Sequence, residues 1–282
     1  MITVRWFRGL PLLPYQPRRP VPWTGIDVVL IVLVYVFIPP LVMRASGTRL
    51  DVPAVAQSKT AEDAPLDTSH PLQRVLSKKS PTAWPVAICA VLTIVIIPIT
   101  EELVFRLLLQ GWLESVERQL RRRVAWLRRI VVGAMPVTTV AILFAAMHIR
   151  TPQPRVEPST EVIMTLVVRA AASLVIVAVL ACWLKFAAGA KLADFGIVPC
   201  KVAGDIRIGL LAFLAVTVPA YAVMFGVSQL VPKNVVADPI PILLLGLTFG
   251  VLYYRTHRIV PSIALHMAFN AVGVFLALAA SR

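Results

Sequence analysis

The sequence predicts an all-α fold: a polytopic transmembrane bundle of about seven helices, within a range of six to eight. Three observations predict it. Of 282 residues, 58% are hydrophobic and 15% charged, against about 45–50% and about 25% in ordinary soluble domains. The apolar residues gather into runs near the roughly 17–25 that a bilayer-crossing helix needs. Lys and Arg fall mainly between those runs. The composition excludes an ordinary soluble enzyme, a disordered regulator and a secreted disulfide scaffold. The three cysteines (Cys89, Cys182, Cys200) are odd in number and lack CxxC spacing, so they make neither a disulfide framework nor a zinc site.

The basic segment 1–22 (Arg5, Arg8, Arg18, Arg19) leads into Val28–Met43, extended backwards by Trp23–Ile26 with one Asp27 inside. Because further spans follow, this reads as a signal anchor rather than a cleaved peptide. A polar stretch, 46–80, forms an extramembrane loop without periodicity. Val86–Ile99 continues through Thr100-Glu101-Glu102 into Leu103–Trp112, a long span carrying three charges. Ile130–Ile149 holds no formal charge, Val162–Leu184 holds Arg169, and Ile208–Pro232 and Ile259–Ser281 hold none. Pro239–Tyr254 is shorter, long enough for a helix packed inside a bundle. The whole chain reads as one integral-membrane domain.

The formal net charge of +14 follows the same layout. With the N-terminus cytoplasmic, the inner side collects Arg118, Arg121–Arg123, Arg128, Arg129, Lys185, Lys191, Lys201, Arg207, Arg255 and Arg258, while acidic Asp51–Asp67 falls outside. This is the positive-inside pattern, with some attraction to anionic lipid. Nothing resembles a nucleic-acid recognition module, so the expected partners are membrane lipid and membrane-associated proteins, and no nucleic acid. The Arg118–Arg129 segment reads as either an amphipathic helix on the inner surface or a solvated basic loop.

Ionisable groups inside membrane helices cost about 2.5–3.5 kcal/mol each on insertion scales and mark functional candidates. Three constellations stand out. In Glu101-Glu102-Leu103-Val104-Phe105-Arg106, Glu102 and Arg106 share a helix face, while Glu101 points about 100° away. Pro98 is expected to interrupt this helix, with Thr100 capping the restart. An ion pair locking two helices accounts for Glu102–Arg106 but not for the second carboxylate. The second constellation is Phe144-Ala145-Ala146-Met147-His148. The third is His266-Met267-Ala268-Phe269-Asn270, in which His266 and Asn270 share a face. Of four histidines, His70 and His257 fall in loops or at helix ends and read as structural. A carboxylate can take a proton from water, and imidazole or carboxamide N–H groups can stabilise an oxyanion. The parts therefore suggest hydrolysis. There is no HExxH and no GxSxG.

EELVFR, FAAMH and HMAFN resemble the EExxxR, FxxxH and HxxxN motifs of the CAAX-protease and bacteriocin-processing (CPBP) intramembrane proteases, which include the type II CAAX prenyl endopeptidases. Gly246–Asn270 (GLTFGVLYYRTHRIVPSIALHMAFN) looks like the family's lead-in to its last motif. The resemblance covers Trp84–Ile149 and Pro239–Ala280, the segments 84–149 and 239–280 forming the core and 150–238 unusual intervening helices. It implies an all-α membrane core with a polar catalytic cavity within the bilayer that cleaves peptide bonds. Its substrates would be membrane-associated proteins or peptides, C-terminal or lipidated ones among them. By motif position, Glu101 looks like the residue that activates water, helped by His148. Glu102 and Arg106 look like a supporting pair, His266 and Asn270 like an oxyanion-stabilising pair. Members are often described as metalloproteases, and a metal-free glutamate mechanism is also proposed. No tightly bound cofactor is expected; if zinc is present, its ligands would be Glu101, His148 and His266.

Two features depart from the family pattern. His148 and His266 lie farther apart in the chain than expected, with about two extra helices between them. Leu192–Leu214 looks like a segment that normally precedes the glutamate helix and here follows it. The seven-helix layout also puts His148 at the outer end of its span, away from Glu101 and His266, unless that helix is short, tilted or broken at Pro136. Two alternatives to a protease are a non-proteolytic scaffold or immunity-type protein on the same fold, and a transporter using Glu101, Glu102 and Arg169. The transporter lacks the paired broken helices of two related halves. A prokaryotic plasma membrane is the expected location.

Overall fold

The structure, a computed structural model, describes residues 13, 15–16, 20–45, 66–67, 83–149, 153–154, 160–230 and 239–280. Among them are seven main helices. These are α1 (Gly25–Ala45), α2 (residues 83–123), α3 (Ala134–Met147), α4 (Thr160–Phe186), α5 (Val202–Leu230), α6 (Pro239–Thr256) and α7 (Ile259–Ala280). A two-residue antiparallel pairing of Leu66–Asp67 with Gln153–Pro154 is the only strand structure among the described residues. Among the described residues, four helical stretches are long and apolar enough to cross a membrane: Gly25–Val42, Val86–Arg123, Pro199–Val227 and Ile259–Ala279. Shorter apolar helices run over Ala134–Met147, Ala170–Phe186 and Ile240–Thr256. The chain is an integral membrane protein built as a helical bundle. Most of segment 1–22, nearly all of loop 46–80, His70 and the side chain of Arg169 lie outside the described residues.

With no hydrophobic drive between helices in lipid, small residues that let backbones approach decide the packing. A Cβ on Gly246 of α6 would sit 3.2 Å from the Cα of Ala141 on α3. On α5, a Cβ at Gly209 would lie 2.8 Å from Ala264 Cβ of α7 and collide with the carbonyl of Pro261. These two close approaches bring α3 against α6 and α5 against α7. Large apolar side chains such as Leu30, Phe37, Leu143, Leu214, Val218, Phe225 and Phe275 face outwards. That is inverted for a soluble protein and ordinary for a surface solvated by lipid.

Three expectations are corrected. The charge-free run Ile130–Ile149 is not a full span: the helix starts only at Ala134, after a 3₁₀ turn over Ala125–Arg129, and has 14 residues. At 1.5 Å per residue it is about 20 Å long, short of the roughly 30 Å hydrocarbon core. It therefore stops part-way across, which brings His148 to the level of Glu101. Pro136 does not break it, because it sits in the first turn, where the missing N–H has no helical partner to lose. The Arg118–Arg129 segment is neither a separate surface helix nor a plain loop. Its first part is the end of α2, through Arg123, and its last part is the 3₁₀ turn.

One end of the bundle gathers the basic residues and is tied by polar contacts. Glu114 meets His257 Nε2 at 3.0 Å, and His257 Nδ1 donates to the carbonyl of Gln16. Glu117 accepts from Arg121 Nη2 at 2.7 Å and from the backbone N–H of Gly133 at 3.0 Å. Arg258 pairs with buried Asp205. The N-terminal segment is docked here as well: Trp23 is buried and its Nε1 donates to the Leu108 carbonyl at 3.1 Å.

Candidate active site

The glutamate helix is continuous through Pro98, against the expected interruption. Two stretches of α2, Leu92–Ile96 and Leu103–Gln110, are wound as π-helix on either side of Ile97–Glu102. Such bulges inside α-helices are frequent at functional sites. The first lets the chain pass its proline. Ile97 N–H bonds to the Leu92 carbonyl, five residues back, so the hydrogen-bond ladder is already displaced where Pro98 has no N–H to give. Thr100 does not cap a restart; its hydroxyl donates to the Ile96 carbonyl four residues earlier, at 2.8 Å. The result is one long helix that carries Glu101 and Glu102 near its middle, on different faces.

The three sequence constellations meet there. His148 caps the end of α3, with Nδ1 donating to the Phe144 carbonyl at 2.7 Å. A carbonyl only accepts, so the proton sits on Nδ1, and Nε2 faces Glu101 Oε1 at 3.9 Å. From α7, His266 Nδ1 reaches Glu102 Oε1 at 3.1 Å while its Nε2 faces Glu101 Oε2 at 3.8 Å. Both imidazoles thus spend Nδ1 on a fixing contact and aim Nε2 at the same carboxylate. The 3.8–3.9 Å separations are too long for direct hydrogen bonds. Glu101 is 13% exposed, whereas Glu102 and Arg106 are fully enclosed, with Arg106 Nε 3.5 Å from Glu102 Oε2. The guanidinium also lies near two aromatic rings, 5.2 Å from the centroid of Phe144 and 5.6 Å from that of Phe249. Cation–π attraction in this desolvated place supplements the ion pair. Asn270 shares a face of α7 with His266, and its Nδ2 donates to the Thr93 carbonyl on α2 at 2.8 Å.

The sequence model of the type II CAAX prenyl endopeptidase Rce1-like family matches residues 82–191 and 204–272, together more than half of the chain. The chain belongs to this family. Its Rce1-like match takes in all three motifs, and it runs through α4 and the intervening helices as well as the motif-bearing segments. The gap between the matched stretches falls inside Leu192–Leu214, the segment whose place in the chain looked unusual. No curated protein and no solved structure matches the chain. Membership assigns the molecule to the intramembrane CAAX endopeptidases, enzymes that act on membrane-associated proteins.

The geometry gives no support to the metalloprotease label attached to such proteins. Among the described residues, no group of three or more His, Cys, Asp or Glu side chains is placed to hold a metal ion. Ligands of one tetrahedral zinc, at about 2.0–2.2 Å from it, stand about 3.3–3.5 Å from one another. The Glu101–His148 and Glu101–His266 separations exceed this.

Several residues at this Rce1-like site gave no signal when read singly. Phe144 opens the FAAMH motif, and the motif alone gives it no role. In the structure its carbonyl fixes His148, and its ring faces Arg106 and the edge of His266. Phe249 stacks on His266, with centroids 4.9 Å apart and planes at 23°. Thr93 contributes only a backbone carbonyl, which no side-chain pattern reveals. His257, read as structural, is a buried member of the polar cluster at the basic end, with a left-handed backbone at φ 47°.

Proposed function

We propose that this protein hydrolyses peptide bonds of membrane-associated CAAX-type substrates with Glu101 as the general base. The observation that carries the reading is the convergence of two Nε2 atoms, from His148 and His266, on one carboxylate whose neighbour Glu102 is already committed to Arg106 and His266. Glu101 takes a proton from water as the water oxygen bonds to the scissile carbonyl carbon. His148, held in the Nδ1–H tautomer by Phe144, offers its Nε2 lone pair to orient that water. His266, with a proton on each ring nitrogen, stabilises the oxyanion through Nε2–H while Nδ1–H donates to Glu102. Glu101 then delivers its proton to the leaving nitrogen as the C–N bond breaks, giving a carboxylic acid and an amine. Enclosure in low dielectric strengthens each of these charge interactions.

Family membership supports, as the substrate class, a C-terminal peptide bearing a lipidated cysteine, whose lipid would lie in the bilayer beside the bundle. The basic end of the bundle faces the cytoplasm in this reading, as Lys and Arg near helix ends favour, and the host membrane is a prokaryotic plasma membrane. A direct test uses the purified chain in lipid vesicles with an internally quenched peptide carrying a prenylated cysteine. Cleavage that disappears in Glu101→Gln supports the reading. Equal cleavage by Glu101→Gln rejects it and favours a scaffold on the same fold.

A further inference from the structure

We propose that Asn270 acts on catalysis through the backbone of the glutamate helix, closing the Thr93 carbonyl that Pro98 deprives of a helical donor and so setting the position of Glu101; this rests on Glu101 being the base. Three observations support it. In the α-helical register the donor to Thr93 O would be Ile97 N–H, but that N–H is turned to Leu92 O. In the π register the donor would be residue 98, which is proline and has no N–H. The Asn270 carboxamide on α7 donates to this carbonyl at 2.8 Å. An unpaired carbonyl inside a membrane bundle is costly, so the bond has a physical reason besides geometry.

The contact has a consequence for the site. His266, one turn before Asn270, faces Glu101 and Glu102. Asn270 holds the same helix to α2 two turns before Glu101. Together they clamp α7 to α2 at the two ends of the stretch from Thr93 to Glu102. Thus Asn270 is a positioning residue, and the sequence element that makes it necessary is Pro98.

The assignment makes an unusual demand: removing the proline should compensate for removing the asparagine. Wild type, Asn270→Ala, Asn270→Asp, Pro98→Ala and the Pro98→Ala/Asn270→Ala double variant are compared as full chains in detergent. They are matched for folded, monodisperse protein, and Tm and cleavage of the quenched prenylated peptide are measured. Asn270→Ala and Asn270→Asp are expected to lose about tenfold or more in kcat with KM within about twofold, as for a group that acts in the transition state. In the double variant the backbone N–H regained at position 98 serves Thr93 O, so kcat returns to within about threefold of Pro98→Ala, a coupling that independent sites would not show.

A double variant as slow relative to Pro98→Ala as Asn270→Ala is to wild type overturns the proposal and assigns the amide to the substrate oxyanion. Recovery of Tm without recovery of kcat overturns it as well. If wild type shows no Glu101-dependent cleavage, the proteolytic reading fails, and with it the positioning role; additive Tm effects would then reject the shared carbonyl too.

Discussion

Glu101 and Glu102 are chemically identical neighbours, and their surroundings separate them. Glu102 is enclosed with Arg106 and bonded to His266, whereas Glu101 keeps some exposure and faces the Nε2 atoms of two histidines at 3.8–3.9 Å. Glu101→Gln is therefore expected to lower kcat by about 10²–10⁴-fold, the range for removal of a general base, while membrane abundance stays at the wild-type level. Peptide cleavage normalised to immunoblot signal checks this. Arg106 gives the opposite pattern. Arg106→Met strands a buried carboxylate, which costs about 3–5 kcal/mol where one partner of a buried pair is removed. Adding Glu102→Gln should restore much of the lost Tm, because the amide keeps an acceptor for His266 Nδ1 without the charge. Thermal unfolding of the two variants in detergent reads the difference.

At the scale of elements, the helix that matters most is the one that stops early. The charge-free run Ile130–Ile149 has the length of a span in sequence, but its first four residues are bend and turn, and the helix starts only at Ala134. Apolar residues at a helix entry look the same in one dimension as apolar residues in a helix, so only the motif signalled that His148 must reach Glu101. The π segments were equally silent: Leu92–Ile96 and Leu103–Gln110 have no side-chain signature beyond Pro98. By contrast, all seven apolar runs did become helices, since hydropathy reports burial in lipid directly. The close approach of α6 to α3 gives an element-scale expectation. Gly246→Val forces side-chain atoms into the Ala141 backbone, an overpacking that costs about 1–3 kcal/mol. Both Tm and cleavage should fall, because α3 carries His148; Gly273→Ala, with nothing within 4 Å of its Cβ, is the control.

For the whole molecule, the alternation of seven helices puts the ends tied by Glu114–His257 and Asp205–Arg258 on one side. In the orientation proposed above that side is cytoplasmic, as Lys and Arg near helix ends favour. Cys200 is exposed in the short 3₁₀ turn between α4 and α5, on the basic side, whereas Cys89 is buried. In a Cys89→Ala/Cys182→Ala chain, a membrane-impermeant maleimide should label Cys200 in inside-out vesicles and leave it unlabelled in right-side-out ones. The reverse pattern would invert the topology. The motif residues and the helices were legible because each breaks or makes an apolar run. The clamp formed by Thr93, Pro98 and Asn270 was not, because it joins a missing N–H to a backbone carbonyl on another helix.

In the proposed mechanism, proteolysis in the membrane depends on the Glu101 carboxylate. Mass-spectrometric profiling of new protein termini in cells expressing the wild-type chain, Glu101→Gln at matched membrane abundance, or no copy tests it most directly. A set of C-terminally trimmed membrane-associated proteins is expected with the wild type and in neither of the other samples. Identical termini in wild type and Glu101→Gln, with the deletion alone differing, would contradict it.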